Sequence, residues 1–147
     1  MRTLGIDYGT KRIGLAISDE GSKLAFPKEI ILNNGDTLNN IEKIIKNENI
    51  DEIVVGESVD FSGQLNALSA RIEVFILELK ERFSLPIHKQ VEFLTSVEAR
   101  KSGQNKKSIS STQSHSKVKQ IKSGRIDAQA AALILQRFLD KKNLKTK

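Results

Sequence analysis

Residues 2–18 read RTLGIDYGTKRIGLAIS, and the fold turns on how they are taken. Two runs rich in Leu and Ile, 2–7 (RTLGID) and 12–18 (RIGLAIS), are separated only by Tyr8-Gly9-Thr10-Lys11. So short a link closes an antiparallel hairpin, because parallel strands need a crossover of roughly a dozen residues or more. Asp19-Glu20-Gly21-Ser22 then predicts a second turn and 23–27 a third strand, completing a three-stranded meander. At Asn33-Asn34-Gly35-Asp36 the chain breaks and offers a helix cap. Leu38, Ile41, Ile44 and Ile45 follow at helical spacing to about residue 48.

Further along, IDEIVV (50–55) predicts a compact strand ending at Gly56. Flanked by helical segments, it reads as a parallel strand reached by crossover. A helix is expected over 64–82, with Leu65, Leu68, Ile72, Phe75, Ile76 and Leu79 on one face, and a fifth strand over 86–91. LTSVEARKS, from Leu94, opens like a helix capped by Thr95 or Ser96. Residues 102–124, mostly Ser, Gln and Lys, read as a mobile basic loop. Ile126, Ala130, Leu133, Ile134 and Phe138 mark a final amphipathic helix, and 141–147 a frayed tail. The expectation is an α/β fold, one domain over 1–147, with a mixed sheet.

Composition narrows the function. The 147 residues include no cysteine, which excludes disulfides, thiolate zinc sites and thiol catalysis and suits a reducing cytoplasm. No apolar run nears the ~20 residues that span a bilayer, and MRTLGIDYGT lacks a signal-peptide layout. Charge is distributed unevenly. Residues 1–99 carry 11 basic and 16 acidic side chains. Arg100, Lys101, Lys106, Lys107, Lys117, Lys119, Lys122 and Arg125 then follow with no acid through Ile126. An acidic body with a basic segment suits a polyanion docking on one side, nucleic acid above all; a solvated loop is the plainer alternative.

Three carboxylates fall where elements end: Asp7 closing the first strand, Glu92 just past the fifth, and Asp127 in the first turn of the last helix. Gathered at one sheet edge they would repel unless a cation sat among them, and Mg²⁺ or Mn²⁺ takes such oxygen ligands. Two ions ~3.5–4 Å apart can drive phosphodiester hydrolysis. Each acid also has a structural reading: Asp7 as a turn residue, Glu92 as a surface acid, Asp127 as a cap or dipole partner. His88 reads as a packed or surface strand residue, His115 as part of the loop. The Asp7-Tyr8-Gly9-Thr10 turn also looks like the first phosphate-binding turn of sugar kinases and actin, which need a second domain to clamp their nucleotide.

Taken together, LGIDYGTKRIGLAIS (4–18), IVVGESVDFSGQ (53–64), EFLTSVEAR (92–100) and IDAQAAALILQ (126–136) resemble the YqgF family, also called RuvX. That is an RNase H-like group associated with Holliday junction resolution and pre-16S rRNA processing. The resemblance implies a five-stranded mixed sheet of order 3-2-1-4-5 with helices on both faces. It carries over Asp7, Glu92 and Asp127 as catalytic ligands of Mg²⁺ or Mn²⁺. Lys11 and Arg12 would hold phosphates, with Thr10, Thr95 and Ser96 as backbone contacts. The chain departs from the family where Val91-Glu92-Phe93 replaces Asp-Glu-Arg and Glu57-Ser58-Val59-Asp60 replaces Leu-Pro-Leu-Asn. Glu57 is expected to face solvent.

The leading expectation is a metal-dependent endonuclease maturing the 5′ end of 16S rRNA in the cytoplasm, as a monomer or weak homodimer. A four-way DNA junction resolvase is the alternative within the enzyme class. A non-catalytic RNA-binding assembly factor is the alternative outside it, favoured by the altered residues beside Glu92.

Overall fold

The hairpin expected from 2–18 is present in the structure, a computed structural model. It describes residues 1–59, 67–93 and 115–146, with backbone alone for 58–59, 67, 92–93 and 115–127. Strands β1 (Arg2–Tyr8) and β2 (Arg12–Ser18) pair antiparallel, setting Asp7 opposite Gly14 and Tyr8 opposite Ile13. The third strand, β3 (Ala25–Leu32), starts later and runs further than the 23–27 expected. Residues 19–24 are held out of the sheet by Asp19, whose Oδ1 accepts the amides of Lys23 (2.7 Å) and Leu24 (3.0 Å). Pro27 does not end β3, because an edge strand spares one side of its backbone from pairing.

Helix α1 (Thr37–Asn47) follows the predicted break. The cap differs in detail from a simple Asp36 cap. Asp36 stands at the cap position without a side-chain cap bond, while Asn34 Oδ1 accepts the Asp36 amide (2.9 Å) and Thr37 Oγ1 that of Asn34 (2.9 Å). Strand β4 (Ile50–Val59), helix α2 (Ala67–Arg82) and strand β5 (Ile87–Phe93) come next. β4 runs parallel to both β1 and β5, and the sheet order is β3-β2-β1-β4-β5. The order implied by the family resemblance is therefore the order observed.

The last helix, α3 (His115–Lys145), corrects two expectations. It begins eleven positions before Ile126, so the second half of the stretch read as a loop is helical; 102–114 lies outside the described residues. It also continues through the tail read as frayed, because Lys142 pairs with Glu52 and Asn143 Nδ2 donates to Ser22 O (3.1 Å). The helix proposed at 94–102 lies outside the described residues.

Alternation along the strands sorts two cores. Leu4, Ile6, Ile13, Leu15, Ile53 and Val55 pack against Ile41, Ile44, Ile72, Phe75 and Leu79 of α1 and α2. On the opposite face Ala16 and Val54 meet Ala131, Leu135 and Leu139 of α3. That second core is thin because the sheet offers α3 small residues. A Cβ on Gly5 would stand 2.7 Å from Leu135 Cβ and 3.2 Å from the Ala131 carbonyl oxygen. One on Gly56 would stand 2.3 Å from Ile134 Cδ1. The sheet thus accepts a helix backbone at very close approach. Leu135 and Leu139, both fully buried, each contribute about 1.5–3 kcal/mol at most to holding it there.

Candidate active site

Contacts along α3 fix its direction. Lys142 reaches Glu52 near the start of β4, Leu135 and Ala131 lie over Gly5, and Ile134 lies over Gly56. The helix therefore runs antiparallel to β1 and β4, and its earlier residues approach the C-terminal ends of those strands. From Gly5 to Asp7 the strand advances about 6.6 Å; from Ala131 back to Asp127 the helix retreats about 6 Å. Asp127 thus sits at the level of Asp7, one turn beyond Ala131 on the same stripe of α3.

Asp7, half-buried, is placed by β1 on the α3 side of the sheet, since Leu4 and Ile6 face the other way. Its Cα partners on both neighbouring strands are glycines, Gly14 on β2 and Gly56 on β4. The two positions directly opposite Asp7 on its neighbouring strands therefore carry no side chain. A cavity of about 310 Å³ lies beside it, lined by Asp7, Gly9, Lys11, Arg12 and Gly14. Glu92 lies within β5 rather than past it, opposite Ser58. Ser58 lies two positions after Gly56 on β4, so Glu92 holds a register position on the face and at the sheet end of Asp7, two strands across with β4 between and two positions further on. Asp127 lies in the interior of α3, not in its first turn, so the cap and dipole readings of it fail.

Three acids far apart in the chain are thus carried by β1, β5 and α3 to one end of one sheet face. Asp7 is described in full; for Glu92 and Asp127 the backbone fixes position alone. Among the described residues no three His, Cys, Asp or Glu side chains gather as a metal site. The donors on offer are carboxylate oxygens, the ligand type that suits Mg²⁺ and Mn²⁺, and the glycine-flanked space at Asp7 leaves room for a hydrated ion.

The turn after Asp7 is rigidly built. A Cβ on Gly9 would meet the Arg12 carbonyl oxygen at 2.3 Å. Asn33 clamps the turn from β3's far end, its Nδ2 donating to Gly9 O (2.9 Å) and its amide to Lys11 O (2.9 Å). Lys11 and Arg12 are exposed at the mouth of the Asp7 cavity. Thr10 instead lines a cleft of about 710 Å³ toward α1 and α2. Lys117, Lys119, Lys122 and Arg125 lie on the first turns of α3, leading up to Asp127, and His115 is its first residue. Thr95, Ser96, Arg100, Lys101, Lys106 and Lys107 lie outside the described residues.

One expectation is overturned. Glu57 is buried, 5 % exposed, and bound to Lys89 Nζ at 3.1 Å. Lys89 also pairs with Glu73, and these two acids hold its ammonium above its ordinary value. Glu57 follows Val55 on the α1–α2 face, away from Asp7, so it is no ligand of that site. The sequence reading missed what Gly14 and Gly56 do; their signal was a glycine in each strand beside an acid-bearing one.

This geometry is that of the RNase H-like fold, and solved structures bear it out. Thermus thermophilus RuvC bound to a Holliday junction substrate superposes with a TM-score of 0.54 at 14% identity, over 97% of this chain and 95% of that one. The fowlpox virus Holliday junction resolvase does so with a TM-score of 0.55 at 16% identity, over 96% and 99%. More specifically, the chain belongs to the RuvX family: the model described as "RuvX: Holliday junction resolvase" matches residues 1–141. Relatives named "Putative pre-16S rRNA nuclease" include one from Geobacillus kaustophilus, 37% identical over 97% of this chain and 99% of its own. Another, from Nitratidesulfovibrio vulgaris, is 33% identical over 95% and 94%.

Proposed function

We propose that this chain is a metal-dependent endonuclease that matures the 5′ end of pre-16S rRNA in the cytoplasm. What supports the reading is the backbone register that puts Asp7 and Glu92 at one end of one sheet face, with Asp127 one helical turn before the Ala131 that packs over Gly5 of β1. Those three would hold Mg²⁺ or Mn²⁺, which when bound activates water and stabilises a leaving oxygen. Lys11 and Arg12, fixed by the clamped turn, hold the phosphate beside Asp7. The basic start of α3 guides the polyanionic strand toward Asp127. The names of the curated relatives support the ribosomal substrate.

The test is cleavage of a precursor 16S 5′-leader RNA by the purified chain. Cutting is expected with Mg²⁺ or Mn²⁺, to stop with chelator and to be lost in Asp7→Asn while RNA binding persists. Binding without metal-dependent cutting would reject the nuclease. The description of the matching family favours one second reading, resolution of four-way DNA junctions. A junction cut in preference to leader RNA, by a chain that dimerises, would establish it.

A further inference from the structure

A second opening lies on the α3 face at the other end of β5. This cavity, about 570 Å³, is lined by Glu52, His88, Phe138, Lys141, Lys142 and Lys145 among others. Its one acid is already neutralised. Glu52, 2 % exposed, accepts from Thr3 Oγ1 (2.8 Å), pairs with Lys142 and lies 3.2 Å from His88 Nε2. Lys89, which also lines the opening, is committed to Glu57 and Glu73. Lys141 and Lys145 are exposed and form no ion pair among the described residues, so their charge faces the opening uncompensated. Inside lies an aromatic pair. The His88 and Phe138 rings stand 5.0 Å apart, tilted by 33°, with 43 % of the His88 side chain left exposed.

Lysines near a helix C-terminus are commonly placed to offset its dipole. That role needs neither a cavity nor a ring pair. Cations around an aromatic surface are the recognition chemistry of an unpaired nucleotide, base on ring and phosphate on lysine. The opening also adjoins the first site. Gln90, buried, lines it and is the Cα partner of Gly56, whose partner on the other side is Asp7.

We propose that this cavity is an accessory subsite for one nucleotide of single-stranded RNA, the base against His88 and the flanking phosphates on Lys141 and Lys145. It rests on the nucleic-acid reading above and extends the substrate path from the Asp7 row to the β5 edge.

Binding is measured on Asp7→Asn protein without added metal, with a short single-stranded oligouridylate as probe. Lys141→Gln with Lys145→Gln should weaken binding and make the log–log salt slope shallower by about 1.4, two contacts at about 0.7 each. His88→Gln keeps a polar partner for Glu52 and removes the ring. It should lower oligouridylate affinity about five-fold or more and leave inorganic polyphosphate binding unchanged. Unchanged RNA affinity and slope in the lysine variant, or equal effects of His88→Gln on both probes, would overturn the subsite. A loss confined to double-stranded RNA would overturn it too. Because no cleavage is read, failure of the wild-type chain to cut leader RNA bears on the nuclease reading alone.

Discussion

Asp7 and Gly56 are Cα partners in the parallel β1–β4 pair, and Gly56 has no room for a side chain beneath Ile134. The residue that opens space beside the carboxylate is therefore also the one that lets α3 come down upon the sheet. Steric demand at this one point serves both the site and the packing.

Gly5 and Gly56 should respond differently to alanine. At Gly56 the clash is with the end of a flexible side chain, at Gly5 with Leu135 Cβ and a helix carbonyl. Gly56→Ala should cost about 1–3 kcal/mol, and Ile134→Val, which removes the clashing methyl, should recover much of it. Gly5→Ala should cost more and resist such rescue. Urea unfolding of the single and double variants measures both.

Divalent-ion binding should require all three acids. Titration calorimetry with Mn²⁺ should give binding to the wild-type chain that Asp7→Asn, Glu92→Gln and Asp127→Asn each weaken at least ten-fold. Their unfolding midpoints should stay level or rise, since removing one of several clustered carboxylates relieves repulsion. Full Mn²⁺ affinity in Asp127→Asn would remove α3 from the ligand set.

Glu52 should dominate the acid limb of stability. Burial pushes its carboxyl up, but Lys142, Thr3 and His88 outweigh burial and hold it below its ordinary value of 4.5. The folded chain therefore takes up this proton less readily than the unfolded chain. Its contribution is complete above about pH 4.5 and is lost as pH falls through the lower folded value. Glu52→Gln should lower stability at pH 7 by about 1–3 kcal/mol and flatten the decline below pH 4.5, as read by denaturant melts across pH.

Neutralising Lys106, Lys107, Lys117 and Lys119 together should weaken RNA binding and make the salt slope shallower by up to about 2.8, four contacts at about 0.7 each. An unchanged slope would take the basic segment out of the interface.

The meander, the crossover strands and the α/β class were legible in residues 2–91 because short turns and apolar periodicity are local signals. Glu57 was misjudged because its partner, Lys89, is 32 positions away and only strand pairing brings the two together. The true start of α3 was hidden because Lys117 to Ser123 carries few apolar anchors, and its helical state is not written as a hydrophobic stripe. β3 was placed early because the Asp19 carboxylate, capturing two amides, overrides the strand-like run that begins at Lys23. The three acids were visible as residue types. That one helix would carry Asp127 back over β1 was implied by family likeness, not by spacing.

Because Lys142 is moored to Glu52 at one end of α3 and Asp127 stands over the strand ends at the other, the intervening turns act as a gauge of fixed phase. Each residue of an α-helix turns the next by about 100°. Deleting a single position between Asp127 and Ala131 would swing the acid a quarter-turn off its bearing while every buried leucine beyond stayed seated. Substitution on the outward side of this span is cheap; insertion or deletion within it is not.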